Sequence, residues 1–283
     1  MLDIKLIRKD PKGIEKKLKT KEPSVRLDKI LILDEQIREI KVKVEEIKAK
    51  RNHLSKEIGE KKRSGGDVSS LMEEVSGLGD EISALDHELK ELEKTFTYEL
   101  SLLPNLPMDD VKVSFDPQDN VCIKSVGEKR SFSFPFKNHV ELGESLKLFD
   151  FKRGAKISGS GWPVYTGLGA ELEWALLNYM IHIHLKNGFT FFLLPHLVRP
   201  EIMFGSAHLP KFEHQQFKIH DEHYHLYLIP TGEAPLNGLH YDEILPEDQL
   251  PLHYMGYTPC FRREAGAAGS QERGLIRVHQ FNK

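Results

Sequence analysis

The chain has 283 residues, enough for two domains, and its charges nearly cancel, 40 Lys and Arg standing against 43 Asp and Glu for a net of −3. Its two cysteines, Cys122 and Cys260, are distant and outside any CxxC pair, which argues for a reducing cytoplasm and against a structural zinc. No apolar run approaches the length of a membrane span and the N-terminus is charged, so neither a transmembrane helix nor a signal peptide is expected.

In chain order, Asp10-Pro11 supplies an N-cap and a proline at a first helical turn. From Ile30 the apolar positions run Ile30, Leu33, Ile37, Ile40, Val44, Ile47, Leu54 and Ile58, spaced by threes and fours with Arg51 breaking the seam. A second seam follows at Leu71, Val75, Leu78, Ile82, Leu85, Leu89, Leu92 and Phe96. Only Ser64-Gly65-Gly66-Asp67 separates them, so the two seams bury each other by folding back as an antiparallel coiled-coil hairpin. Arms of this length project on the order of 50 Å at about 1.5 Å per residue, a reach toward a partner rather than a core for the domain itself.

Charge indicates the partner. The distal first arm carries Lys48, Lys50, Arg51, Lys56, Lys61, Lys62 and Arg63 against Glu57 and Glu60, whereas residues 68–100 are strongly acidic. Part of this contrast is interhelical pairing. A basic tip on a long arm also suits a phosphate backbone, where each neutralised phosphate releases counterions.

The helical seam gives way to Leu103-Pro104-Asn105-Leu106-Pro107, which places a boundary there, and the aromatic residues concentrated after Phe96 put the main core in the second domain. His182 and His184 lie in an apolar segment that reads as helix, where i and i+2 do not share a face, and the histidines from His208 to His225 lie in a polar hairpin; no metal site is expected from them. Gly188-Phe189-Thr190-Phe191-Phe192-Leu193-Leu194-Pro195 reads as a helix end running into a strand closed by proline.

The C-terminal segment carries the most chemistry. Phe261-Arg262-Arg263-Glu264 and Arg277-Val278-His279-Gln280-Phe281 flank a Gly/Ala-rich turn from Ala265 to Ile276. If the flanks are antiparallel strands, Arg262, Glu264, Arg277 and Phe281 converge on one face. Two guanidiniums, a carboxylate and an aromatic ring suit a nucleoside triphosphate, since Arg binds phosphate oxygens bidentately, a ring stacks on a base and a carboxylate accepts from an exocyclic amine.

This hairpin resembles motif 2 of class II aminoacyl-tRNA synthetases, and Gly188 to Pro195 resembles their motif 1, which builds the dimer interface. The opening Met1-Leu2-Asp3-Ile4-Lys5-Leu6-Ile7-Arg8, the arm string Arg51-Asn52-His53-Leu54-Ser55-Lys56-Glu57-Ile58-Gly59 and Thr231-Gly232-Glu233, similar to a Thr-Ala-Glu serine-binding tripeptide, narrow the resemblance to bacterial-type seryl-tRNA synthetases along the whole chain.

The resemblance implies an α+β protein. An N-terminal antiparallel α-helical coiled-coil hairpin domain over 1–103, which binds tRNA(Ser), is followed over 104–283 by an incomplete class II synthetase antiparallel β-sheet domain with flanking helices. It further implies a cytoplasmic homodimer joined through the motif 1 region, with L-serine, ATP and Mg²⁺ as reactants and cofactor. Arg262, Glu264 and Arg277 are the implied catalytic residues. ATP is implied to contact these and Arg263, Val278 and Phe281, and serine to contact Thr231, Gly232 and Glu233.

Departures stand beside the resemblance: Ser206-Ala207-His208-Leu209-Pro210 where Thr-Gly-Gln-Leu-Pro is usual, Trp162-Pro163 in place of a more polar pair, and no motif 3 with its arginine within these residues. The sequence therefore leaves two readings open, a shortened serine–tRNA ligase or a synthetase-derived tRNA-binding protein that no longer catalyses.

Overall fold

A computed structural model describes residues 1–263 and 274–283. It divides the chain into two compact units, Met1–Val126 and Gly127–Lys283.

In the first unit, α1 (Ile4–Lys9) starts where the Asp3 carboxylate accepts from the Lys5 amide. α2 (Pro11–Lys19) starts at Asp10, whose side chain accepts from the Gly13 amide at 2.9 Å, with Pro11 at the first turn as the sequence suggests. α3 (Asp28–Arg63) and α4 (Ser69–Leu102) form the helical hairpin. Its turn closes with the Gly66 amide donating to the Lys61 carbonyl at 3.0 Å, and Gly65 takes a left-handed φ of 75° that a side chain would oppose.

The hairpin is held by its own seam. Val44 and Ile47 of α3 pack against Ile82 and Leu85 of α4, with Ile40 and Leu78 beside them. At the root a second cluster joins Ile7, Ile14, Leu18, Val25, Leu27 and Ile30 to Leu100. Within this root lies a charge group that the apolar pattern hides. Asp34 is only 4% exposed and accepts from Arg8 through two bonds of 2.7 and 2.6 Å and from Arg38 at 3.2 Å. The Arg8 hydrogen bond, opposed by burial and aided by the charges of Arg8 and Arg38, holds the Asp34 carboxyl below its ordinary range.

The second unit alternates short helices and strands. In order these are α5 (His139–Ser145), β1 (Phe149–Asp150), α6 (Phe151–Ser158), β2 (Val164–Tyr165), α7 (Leu168–Lys186), β3 (Thr190–Leu193), β4 (Leu197–Val198), α8 (Pro200–Gly205), β5 (Tyr227–Leu228), α9 (Glu233–Gly238), β6 (Tyr254–Tyr257), β7 (Pro259–Phe261) and β8 (Gln280–Asn282). Pairs β1–β2, β4–β5 and β7–β8 are antiparallel. The pair β3–β6 is parallel, Thr190 facing Tyr254 and Leu193 facing Tyr257. The expected helix-to-strand passage is therefore α7 into β3, but its partner strand comes from residues that carry no period-two signal of their own.

A core of Val198, Met203, Tyr227, Ile229 and Ala234 lies beneath β4, β5 and α9. The Tyr227 hydroxyl donates to Glu213 Oε1 at 2.7 Å. Burial first, and then this carboxylate, push the Tyr227 hydroxyl up to about 12. His182 and His184 both lie on α7, as their apolar surroundings suggest.

Candidate active site and basic arm

The β7–β8 hairpin is shorter than the sequence pattern implies. Its paired residues are Pro259–Phe261 and Gln280–Asn282, and hydrogen bonds extend the ladder to Arg262, whose amide donates to the His279 carbonyl at 2.9 Å, and to Thr258 and Lys283 at the other end. The register sets Cys260 opposite Phe281, so Arg262, two residues from Cys260, falls beside Phe281 on the same face. The Arg262 guanidinium carbon lies 4.9 Å from the centroid of the Phe281 ring. This is a cation–π contact on an exposed arginine, and it presents a flat cationic and aromatic surface.

That surface adjoins the segment from Pro230 to Glu233. The Phe261 amide donates to the Ile229 carbonyl at 2.8 Å, and Arg262 Nε donates to the Pro230 carbonyl at 3.4 Å. Lys283 Nζ donates to Thr231 Oγ1 at 2.9 Å. Thr231 is buried, whereas Glu233, the first residue of α9, is exposed. Gly232 lies against the fully buried Thr258, and a Cβ at that position would approach Thr258 Oγ1 to 3.0 Å. Glycine at the middle of the tripeptide thus suits the close approach of its backbone to the Thr258 side chain.

Other expected residues are placed as follows. Arg263 is exposed and its amide donates to the Gln215 carbonyl at 3.1 Å. Arg277 is exposed, and Val278 is buried with 8% of its surface accessible. Glu264 lies outside the described residues. Among the described residues no group of three His, Cys, Asp or Glu side chains could hold a metal ion.

His279 is a residue to which sequence reasoning assigns no role, although it stands inside the quoted string and two residues from Phe281. Its Nδ1 lies 2.8 Å from the Arg262 carbonyl, and its amide donates to the Gly161 carbonyl at 2.9 Å. Its ring lies over Trp162, centroids 5.4 Å apart and planes 30° from parallel, so the unusual Trp162 serves as a backing for the hairpin. Gly161 takes φ 82°, and a Cβ there would meet the His279 ring at 2.7 Å. His208 stands out in the sequence only as a departure from the family pattern. Burial holds its imidazole below the ordinary value, the Glu233 carboxylate pulls the other way, and Arg262 and Lys283 add to the lowering. His208 therefore lies within electrostatic reach of both candidate binding segments.

On the arm, the expected basic residues fall into two groups. Lys50 pairs across the hairpin with Glu74 at 2.8 Å, Lys48 approaches Asp86 at 3.9 Å, and Lys61 pairs with Glu57 in its own helix at 3.0 Å. Arg51, Lys56, Lys62 and Arg63 form no ion pair with any described residue, and the last three are exposed at the distal end of α3. Exposed pairs of the first kind contribute little to stability and leave the lysines available to a stronger anionic partner.

Residues 1–107 match the model of the seryl-tRNA synthetase N-terminal domain, and residues 216–283 match that of the class II tRNA synthetase core domain (G, H, P, S and T). The serine–tRNA ligase of Chlamydia abortus is 48% identical over all 283 residues, which span 67% of its length. The chain belongs to the seryl-tRNA synthetase family. The enzyme of Chlamydia muridarum is likewise 48% identical over the whole chain, which covers 66% of it. Among solved structures, the seryl-tRNA synthetase of Pyrococcus horikoshii complexed with ATP superimposes with a TM-score of 0.85 at 34% identity, over all of this chain and 68% of that one. The cytoplasmic serine–tRNA ligase of Naegleria fowleri in complex with AMP gives 0.79 at 27% identity, over all of this chain and 65% of that one. The chain thus spans about two thirds of the length of the curated relatives it matches. The helical hairpin followed by a class II core, incomplete in these residues, is the architecture that the sequence implies.

Proposed function

We propose that this chain provides the tRNA-binding arm and the motif 1 and motif 2 parts of the active site of a serine–tRNA ligase. In this reading residues 1–103 bind tRNA(Ser) and residues 104–283 form the N-terminal part of the catalytic domain, in a cytoplasmic homodimer joined through the motif 1 region. The observation that carries it is the Arg262 guanidinium over Phe281, directly beside the Pro230–Thr231 backbone. A triphosphate and an amino acid bound at those two segments are adjacent, as the reaction requires.

The serine carboxylate oxygen attacks the α-phosphorus of ATP and the bond to the β-phosphate oxygen breaks, giving seryl-adenylate and pyrophosphate. Negative charge builds on the α-phosphoryl oxygens, and Arg262 is the group assigned to stabilise it without covalent chemistry. Arg277 takes the β/γ end. Phe281 and Val278 pack on the base, and Arg263 and Glu264 complete the ATP side. Thr231, Gly232 and Glu233 hold serine, with the Glu233 carboxylate on its ammonium. A hydroxyl of the terminal ribose of tRNA(Ser) then takes the seryl group as an ester, the acyl–phosphate bond breaks and AMP leaves; Lys48, Lys50, Arg51, Lys56, Lys61, Lys62 and Arg63 attract that tRNA along the arm. Mg²⁺ is the counter-ion that ATP brings. Among the described residues no cluster of three His, Cys, Asp or Glu side chains is placed to hold it.

The homodimer reading draws support from α7 and β3, where Leu172, Leu176, Tyr179 and Leu193 are all more than half exposed. Among the described residues no helix is long and apolar enough to cross a membrane.

Serine-dependent exchange of pyrophosphate into ATP, measured on the whole protein, tests the proposal. Arg262→Ala is expected to lower the rate about 100-fold or more, roughly 3 kcal/mol of transition-state stabilisation. A variant exchanging at near wild-type rate would show that Arg262 does not face the α-phosphate.

A further inference from the structure

We propose that His139, which lies far from the hairpin in sequence, is a positioning residue for its triphosphate-binding side, fixing the backbone at Leu275, two residues before Arg277. The inference deepens the proposed ATP site and rests on that reading for its functional consequence.

The backbone that carries the imidazole is itself held. Asn138 caps α5 by accepting from the amides of Val140 and Glu141, both at 3.0 Å, while Glu141 Oε2 accepts from the Asn138 amide at 2.9 Å. This reciprocal capping box fixes the first turn and with it the backbone of His139. From there His139 Nε2 accepts the Leu275 N–H at 3.1 Å, a contact between residues 136 positions apart. A ring nitrogen that accepts from a backbone amide carries its lone pair, so the ring proton sits on Nδ1.

Gly274 shows that the contact is built into the chain. Its φ of 74° is the left-handed region, and a Cβ there would lie 2.2 Å from His139 Nε2 and 2.6 Å from a Val140 methyl. Glycine at 274 and histidine at 139 therefore require each other, one for space and the other for the hydrogen bond. Arg277 is a long side chain on an exposed stretch. Its guanidinium can meet the β/γ end of a bound triphosphate reproducibly only if the backbone beneath it is fixed, so a freed backbone weakens the hold on ATP while the reacting α-phosphorus, assigned to Arg262, is left in place.

Three substitutions in the whole protein test this. Amide hydrogen exchange at Leu275 reads the anchor, and the KM values for ATP and for serine in pyrophosphate exchange read its consequence. His139→Leu removes the acceptor, and is expected to speed Leu275 exchange and raise the ATP KM about tenfold, with serine KM and kcat changed less than about twofold. His139→Gln, whose amide oxygen can accept the same bond, should keep both readings within about threefold of wild type. Gly274→Ala should reproduce His139→Leu. Unchanged Leu275 exchange in His139→Leu, equal rises in both KM values, or a glutamine variant as impaired as the leucine one would each overturn the inference. If the wild type itself exchanges no pyrophosphate, the proposed function fails, and Leu275 exchange alone then decides whether His139 is the anchor.

Discussion

The two hairpins of this chain reach stability by opposite routes. The α3–α4 hairpin carries its own core, since Val44 and Ile47 meet Ile82 and Leu85 along a seam that each helix supplies for the other. The β7–β8 hairpin has three paired residues per strand and borrows everything else. Its backbone bonds run to Gly161, Gln215 and Ile229, its side chains reach Pro230, Thr231 and Glu173, and Trp162 backs His279. A local structure can be extended outward to meet a large partner. A dependent one places a few side chains accurately, because many remote segments fix each of them.

Perturbations should therefore stay within one hairpin or spread, according to which is touched. Phe281→Ala should have the largest effect among those that follow. It removes the ring under Arg262 and is expected to weaken ATP binding by about 2 kcal/mol, roughly 30-fold, leaving tRNA affinity unchanged; calorimetric titration with each ligand checks this.

Asp34→Asn strikes the arm's root. It should cost about 1.5 kcal/mol, toward the lower end for a charged hydrogen bond because Arg8 keeps solvent access, as read from urea unfolding followed by helical circular dichroism. The pH dependence has a definite sign. Because the folded Asp34 carboxyl is held low, its stabilisation is present above the ordinary carboxylate value of about 3.9 and is lost as pH falls through the lower folded value. The asparagine variant should lack that part of the acid-side loss.

Reversing Lys56, Lys61 and Lys62 to glutamate is expected to weaken tRNA binding by about 1 kcal/mol near physiological salt and to flatten the salt slope by about one for each phosphate that the arm no longer neutralises. ATP affinity should not move, and an unchanged salt titration would remove the arm from the tRNA interface. Gly232→Ala should have the smallest effect. Alanine suits the helical φ of −64°, but the tight approach to buried Thr258 opposes the gain, for a net loss of about 0.5 kcal/mol in urea unfolding.

How far each region could be read from sequence follows the same division. The arm's seams, its turn at Ser64–Asp67 and the Asp10-Pro11 helix start are local signals, and the structure carries all three. The Asp34 group is hidden because a buried acid inside a charged helix looks like any solvated one until Arg8, 26 residues away, is brought to it. In the second unit, β3 is legible as a strand, but its parallel partner β6 is set by tertiary pairing. Phe281 and Arg262 can be placed on one face from period two alone. His279, Trp162 and His139 cannot be given roles that way, since each acts through an interaction with a segment remote in sequence.

Central to this account is the proposal that a single surface, Arg262 and Phe281 beside Thr231, receives both ATP and serine. Equilibrium binding of a non-hydrolysable seryl-adenylate mimic tests it most directly. Arg262→Ala and Thr231→Val should each weaken the mimic about tenfold or more, while only Arg262→Ala weakens ATP, because the mimic alone spans both segments. A mimic that binds both variants as tightly as the wild type would contradict the claim.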